Sequence, residues 1–247
     1  MYHMSHQVKR KPFLAVVSSG MPTDALDTLR HIAASVITLP PDPSLPAPVA
    51  SHPDMLLFSI RDVLVTHCSY YETARAQIDR ILEYSGHRLV LTNCPRGNTY
   101  PMDVGLNALL CGKYLFGRTD ALAPEILALA DENGITPIHI RQGYAGCSGL
   151  VLGDAIATAD PSLTKAAAAH GIPVIPAPCA EIVLPGYDHG FFGGCGGVWR
   201  NMVFLCGTIH AARHPDFFSS PLLRGKAIYF LSAGSLFDCG GIKIFPV

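Results

Sequence analysis

Five short apolar strands in this chain are each preceded by an acidic or thiol residue, at Asp54, Asp103, Cys147, Cys195 and Cys239, with spacings of 49, 44, 48 and 44. Self-similarity at a period of this size marks a repeat architecture. Counting on from Cys239 through Val247 and back in from Met1 to Asp54 adds about 62 positions, or roughly 50 once a polar tail of about 12 residues is set aside. Five units therefore fit a ring. The chain reads as one domain over residues 13–247, behind a frayed tail over residues 1–12.

The units share an internal order of strand, strand, helix, strand. In the second, residues 55–58 and 63–65 are apolar runs of strand length, and Ser69 with Glu72 has the spacing of a capping box. A helix then runs to Gly86, which can take the left-handed conformation that stops it, and residues 88–91 return as a strand. The third unit repeats this with strand 114–116, helix 120–134 and strand 137–140. The fourth has strands 150–152 and 155–158, Asp160 as N-cap with Pro161 at the first helical position, Gly171 as stop, and strand 174–175. The fifth has strands 202–205 and 227–231 around a weakly patterned helix over 210–224.

The two ends complete each other. Residues 13–17, a helix after Pro22 and residues 35–39 make a first unit without its opening strand, while 241–245 is a strand without a unit. Pairing them closes the ring and removes the long exposed edges. Six prolines between 40 and 53 make that stretch a rigid connector over one end, or alternatively an interdomain linker.

With 49% apolar and 15% charged residues, a disordered role is excluded. The net charge of −1, with 18 basic residues scattered, offers no phosphate-binding surface, so no nucleic-acid partner is expected. No apolar run approaches the ~18 residues of a membrane helix. Eight cysteines without a secretory signal fit a reducing cytoplasm. The sequence leaves a homo-oligomer open.

In a ring of radial sheets, the segments leading into the inner strands meet at one mouth, so Asp54, Asp103, Cys147, Cys195, Asp238 and Cys239 converge there. Each cysteine is by default a small core residue. Glycine neighbours raise Cys147, Cys195 and Cys239 above that default. These three with His189 could also assemble a metal site across the axis, and His210 with His214 a metal pair on one helix face; no CxxC pair is present. Asp238 beside Gly240 also suits a tight turn.

The strings QGYAGCS at 142–148, LPGYDHGFFGG at 184–194 and SLFDCGG at 235–241, set in five ββαβ units, resemble the pentein fold of the guanidino-group-modifying enzymes. More narrowly, they look like an uncharacterised bacterial branch carried under a domain-of-unknown-function label. The resemblance implies a five-bladed α/β propeller closed by the C-terminal strand. It implies Cys239 as nucleophile, His189 as general acid/base, and Asp54 and Asp103 as guanidinium-binding acids, with Asn107 and Asp238 as further substrate-binding residues. Two departures stand out. GYDHGFF replaces the usual histidine signature, and GCSG replaces an acidic motif. Cys147 is the rival nucleophile.

The implied activity is a cofactor-independent hydrolase or transferase acting on a C–N bond of a small guanidine or amidine cation. A thiolate supplies the nucleophile, carboxylates hold the cation, and a histidine protonates the leaving amine. A non-catalytic binding or scaffold protein of the same fold is the main competitor. A metal- or redox-responsive thiol protein is the third possibility.

Overall fold

Tight turns set the repeat. Strands β3 (Leu57–Ile60) and β4 (Val63–His67) are joined through Arg61 and Asp62, with Arg61 at a φ of 53°. Strands β6 (Leu109–Cys111) and β7 (Tyr114–Gly117) turn at Gly112, and β12 (Gly196–Trp199) and β13 (Met202–Leu205) turn at Arg200, again with positive φ. Two-residue turns with that backbone match the right-handed twist of antiparallel strands. The pair β9 (Gly149–Val151) and β10 (Ile156–Thr158) has a longer connection.

From each second strand a helical crossover leads to a third strand, parallel to it, as parallel pairing requires. Helices α3 (Cys68–Thr73) and α4 (Arg75–Ser85) lead to β5 (Arg88–Thr92), α5 (Pro124–Glu132) to β8 (Thr136–His139), α7 (Pro161–Ala169) to β11 (Val174–Pro176), and α8 (Pro215–Ser219) to β14 (Ala227–Phe230). The N-terminal unit has β1 (Lys11–Ser18), α1 (Thr23–Ile32) and β2 (Ala33–Leu39), and its missing strand is β15 (Lys243–Pro246), antiparallel to β1 with Phe245 opposite Leu14. The result is five three-stranded sheets.

The computed structural model describes residues 11–247. The frayed tail expected over 1–12 lies outside the described residues except for Lys11 and Pro12, which belong to β1. The capping box is not formed: His67 is the N-cap, its Nδ1 accepting from the Ser69 N–H, and the helix breaks at Ala74. The helix expected over 210–224 shrinks to one short turn before Pro221, with a 3₁₀ turn after it.

Five apolar clusters hold neighbouring units together. Leu14 and Val16 pack with Leu57 and Ile78, Phe58 and Val65 with Leu115 and Ile126, and Phe116 with Ile156 and Leu163. Leu150 and Ala157 pack with Val203 and Phe217, and Phe204 with Phe13 and Leu29. The last cluster joins the fifth unit to the first. Burying one such side chain stabilises by about 1.5–3 kcal/mol, so these faces supply the main cohesion between sheets.

Candidate active site

The segments that lead into the first strands of the units touch one another in succession. Short helices α2 (Pro53–Leu56) and α6 (Ala145–Ser148) introduce β3 and β9. Asn107 donates from Nδ2 to Met55 Sδ at 3.1 Å and to Cys147 Sγ at 3.2 Å, and its Oδ1 accepts from the Gly146 N–H at 2.7 Å. A Cβ at Gly193 would run into the carbonyl oxygens of Gly146, Cys147 and Gly149, so only glycine lets the fourth and fifth units approach this closely. The Cys239 and Gly241 N–H groups donate to Gly194 O, and the Asp54 N–H donates to Gly240 O at 3.1 Å.

The strand registers explain which side chains reach the centre. Leu57 faces Thr66, Gly149 faces Thr158 and Gly196 faces Leu205. Counting back three residues from each gives Asp54, Gly146 and Gly193. Cys147 and Cys195 therefore stand one and two positions beyond the place Asp54 holds, and the apparent sequence period slips between units.

A cavity of about 260 Å³ lies beside these segments, lined by Val49, His52, Tyr144, Cys147, Leu184, Tyr187, Asp188, His189, Phe191 and Asp238. One wall is the proline-rich connector. Asp42 anchors it, accepting from the Ser44 N–H and Oγ while its other oxygen lies 3.3 Å from the buried Arg96 guanidinium. Tyr70 Oη also donates to Pro40 O. The connector thus carries His52 to the cavity.

Cys147 is 3% exposed, and burial together with Asp54 and Asp238 pushes its thiol well above the ordinary range. Asp54 is buried, and neither of its carboxylate oxygens has a hydrogen-bond partner. Burial, then Asp238, raises its pKa to about 7, while the Cys147 thiol and Lys243 pull the other way. Lys243 is itself lowered by burial, an effect Asp54 opposes. Asp54 and Lys243 both line a second space of about 340 Å³ along the first strands of the units. A thiol beside a carboxylate of pKa near 7 has a proton acceptor at neutral pH.

Asp238 accepts from the Phe191 N–H at 2.8 Å and the Gly240 N–H at 3.0 Å, yet burial still raises it to about 6. His52 Nδ1 stands 3.7 Å from Asp238 Oδ1, beyond hydrogen-bonding distance. Burial lowers His52 to about 4, so it is neutral near pH 7 and the contact is not an ion pair. His189 lies at the rim, with Nδ1 2.9 Å from Gly190 O and its ring edge-on to Phe191.

Of the residues singled out in sequence, Cys147, His189 and Asp238 share this cavity. Asn107 lies beneath it as a positioning group for Cys147. Asp103 accepts from Tyr144 Oη at 2.6 Å and lines a different, small pocket with Met55 and Arg96, so Asp54 and Asp103 do not face one common space. Cys239 is buried with Met202, Phe204 and Cys206 between the fifth and first units, and it lines neither cavity. Cys195 points into apolar packing, its thiol donating to Phe191 O. Among the described residues no group of three or more His, Cys, Asp or Glu is placed to hold a metal ion, so Cys147, Cys195, Cys239 and His189 do not assemble one. His210 and His214 both precede α8, which begins at Pro215, and so do not share the helix face expected of a metal pair. Sequence reasoning missed His52, Tyr144, Tyr187 and Lys243. The HPD string at 52–54 was the available signal, but a turn explains it equally well.

Across residues 16–243 the sequence matches a family of unknown function, DUF6873. The chain belongs to that family. No curated protein matches it. Among solved structures, a histidine-to-glycine variant of dimethylarginine dimethylaminohydrolase, as an adduct with S-methyl-L-thiocitrulline, is similar with a TM-score of 0.52 at 9% identity, covering 88% of this chain and 91% of that one. The dimethylarginine dimethylaminohydrolase of Pseudomonas aeruginosa, in a cysteine-to-serine form with citrulline, gives 0.46 at 9% identity, covering 95% and 98%. The first of these likenesses establishes an α/β fold of the pentein kind for this DUF6873 chain and nothing about its chemistry.

Proposed function

We propose that this protein is a cofactor-independent hydrolase or transferase acting on a C–N bond of a small guanidine or amidine cation, with Cys147 as nucleophile in place of Cys239. The observation that carries this is the shared cavity. It brings one thiol, Cys147, together with the carboxylates Asp188 and Asp238, the imidazoles of His52 and His189, and the rings of Tyr144 and Phe191, which lie 6.2 Å apart in a stacked arrangement. Aromatic faces and carboxylates are the groups that hold a planar cation.

In this reading Cys147 passes its proton to Asp54 and its sulfur attacks the central carbon of the cation. His189 protonates the departing amine as the C–N bond breaks. Water, or an acceptor amine in a transferase, then adds to the thiouronium carbon, the C–S bond breaks, and the sulfur recovers a proton. Architecture belongs to the same reading: the five sheets form a closed ring and a single domain over 13–247, supported by the succession of leading-segment contacts and by the cluster joining the fifth unit to the first. The free cysteines support a cytoplasmic setting. Among the described residues no helix is long and apolar enough to cross a membrane.

One observation favours a second reading. The Cys147 thiol is held protonated by burial, as a structural cysteine is, so the cavity could serve a binding protein that holds the cation without cleaving it. Peptide-resolved iodoacetamide labelling at pH 8, with and without butylguanidine, separates the two. Labelling led by Cys147 and suppressed by the cation is the expected result. Labelling led by Cys239 would reverse the assignment, and uniformly slow labelling of both would favour the binding protein.

A further inference from the structure

Next to the Cys147 cavity lies another, of about 390 Å³, and Phe191 and His189 line both. The short helix α6 serves both. Cys147 lines one and the next residue, Ser148, lines the other, beside Gln142, Asp160, Pro161 and Cys179. Ser148 is 2% exposed and its Oγ has no hydrogen-bond partner, so a buried polar group is left facing this space. Buried hydroxyls without partners are costly, and a ligand donor or acceptor removes the cost.

The second cavity is built to accept hydrogen bonds. Asp160 Oδ1 caps α7 by accepting from the Leu163 N–H and the Ser162 hydroxyl, but its Oδ2 accepts only from Gln142 Nε2, at 3.2 Å. Carboxylate oxygens have further lone-pair positions to offer. Neither cavity has an Arg or Lys in its lining, whereas Asp188 and Asp238 line the first and Asp160 the second. A substrate carboxylate would meet three carboxyl side chains and neither Arg nor Lys to pair with, which selects against it by repulsion and poorly paired burial.

We propose that the two cavities form one elongated site, with the guanidinium or amidinium head beside Cys147 and an amine tail beside Asp160 and Ser148. The substrates are therefore carboxylate-free guanidinoalkylamines rather than guanidino amino acids. The tail assignment rests on the reading of the head site given above, and the following experiment separates the two.

Titration calorimetry on the full chain compares 4-guanidinobutylamine, 4-guanidinobutanoate, butylguanidine and 1,4-diaminobutane, for the natural protein and for Asp160→Asn, which keeps a residue able to cap α7. The amine-tailed guanidine should bind about tenfold or more tightly than butylguanidine, as expected for a charge-assisted hydrogen bond. The acid should bind more weakly than either. Asp160→Asn should remove the amine's advantage and leave butylguanidine unchanged, and Ser148→Ala should reduce that advantage. An acid that binds as tightly as the amine, or an advantage that survives Asp160→Asn, overturns the proposal. If butylguanidine fails to bind while 1,4-diaminobutane binds in an Asp160-dependent way, the guanidine reading fails and the amine site stands. If no amine binds, the amine site falls.

Discussion

Cys147, in the short helix α6, and Cys239, in a glycine-rich turn, both stand just ahead of the first strand of a repeat, yet their surroundings are opposite. Cys147 borders a cavity and is held by the Asn107 amide, with Asp54 close enough to perturb it. Cys239 has the thiol of Cys206 as its main perturbing neighbour and is packed with Met202 and Phe204. Its neighbour Asp238, one residue back, is the side chain that reaches the cavity. A shift of one residue in such a turn exchanges a cavity-facing side chain for a core-facing one. Membership of the repeat therefore does not decide which residue does chemistry.

The largest test of this contrast removes the segment after Cys239. Deleting residues 240–247 takes away β15, leaving one edge of β1 unpaired and exposing apolar groups that Phe245 covers in the cluster of Leu14 and Val16. The truncated protein should lose its cooperative thermal unfolding transition, as followed by circular dichroism. An unchanged melt would show that the Cys239 region is not the structural closure assigned to it.

Strand positions were readable because each strand is a short apolar run bounded by turn residues. Strand 63–65 became Val63–His67, 202–205 matched Met202–Leu205, and the pairing of the C-terminal strand with β1 followed from counting unpaired strands. Helix stops were readable where glycine takes the left-handed conformation, as at Gly86 and Gly171. Cap chemistry at Asp160 was readable too, since its Oδ1 accepts from Leu163 N–H three residues on. The site was less legible because it depends on register at single-residue precision. Asp103 carried the right charge at the right spacing but spends it on Tyr144, 41 residues away, and His52 reaches the cavity only because Arg96 and Tyr70 tie down the connector. Such long-range pairings leave no local pattern.

Asp54 gives the next largest effect, on the Cys147 side of the comparison. If it accepts the thiol proton, alkylation of Cys147 should rise through about pH 7, where Asp54 ionises, and Asp54→Asn should remove that rise and slow labelling at pH 8 about tenfold or more. Stability supplies an independent check. The folded pKa of about 7 lies above the unfolded value of 3.8, so the native state holds a proton that the unfolded chain has lost, and stability falls as pH rises toward and through 7. Asp238, raised to about 6, has the same sign. His52, lowered from 6.5 to about 4, has the opposite sign, and its contribution changes mainly between pH 4 and 6.5. From pH 6.5 to 8 the Asp54 effect therefore dominates, and about 1 kcal/mol should be lost by the natural protein and retained by Asp54→Asn in urea titrations. Equal slopes for the two would mean that the Asp54 carboxyl ionises as it does in water.

The smallest effect belongs to Cys239 itself. Replacing it by alanine deletes one buried sulfur from the cluster around Met202 and Phe204, and the surrounding side chains can relax only in part. The variant should lose about 1 kcal/mol in urea unfolding and should label at Cys147 at the natural rate, with the same protection by butylguanidine. Cys206 is the complication, because its thiol is the main perturbing neighbour of Cys239 and removal of one sulfur leaves the other in a changed setting. Cys206→Ala therefore accompanies it. If both alanine variants keep Cys147 reactivity within about twofold, this sulfur pair is packing; a loss of labelling at Cys147 in Cys239→Ala alone would couple the two regions and end the separation drawn between them.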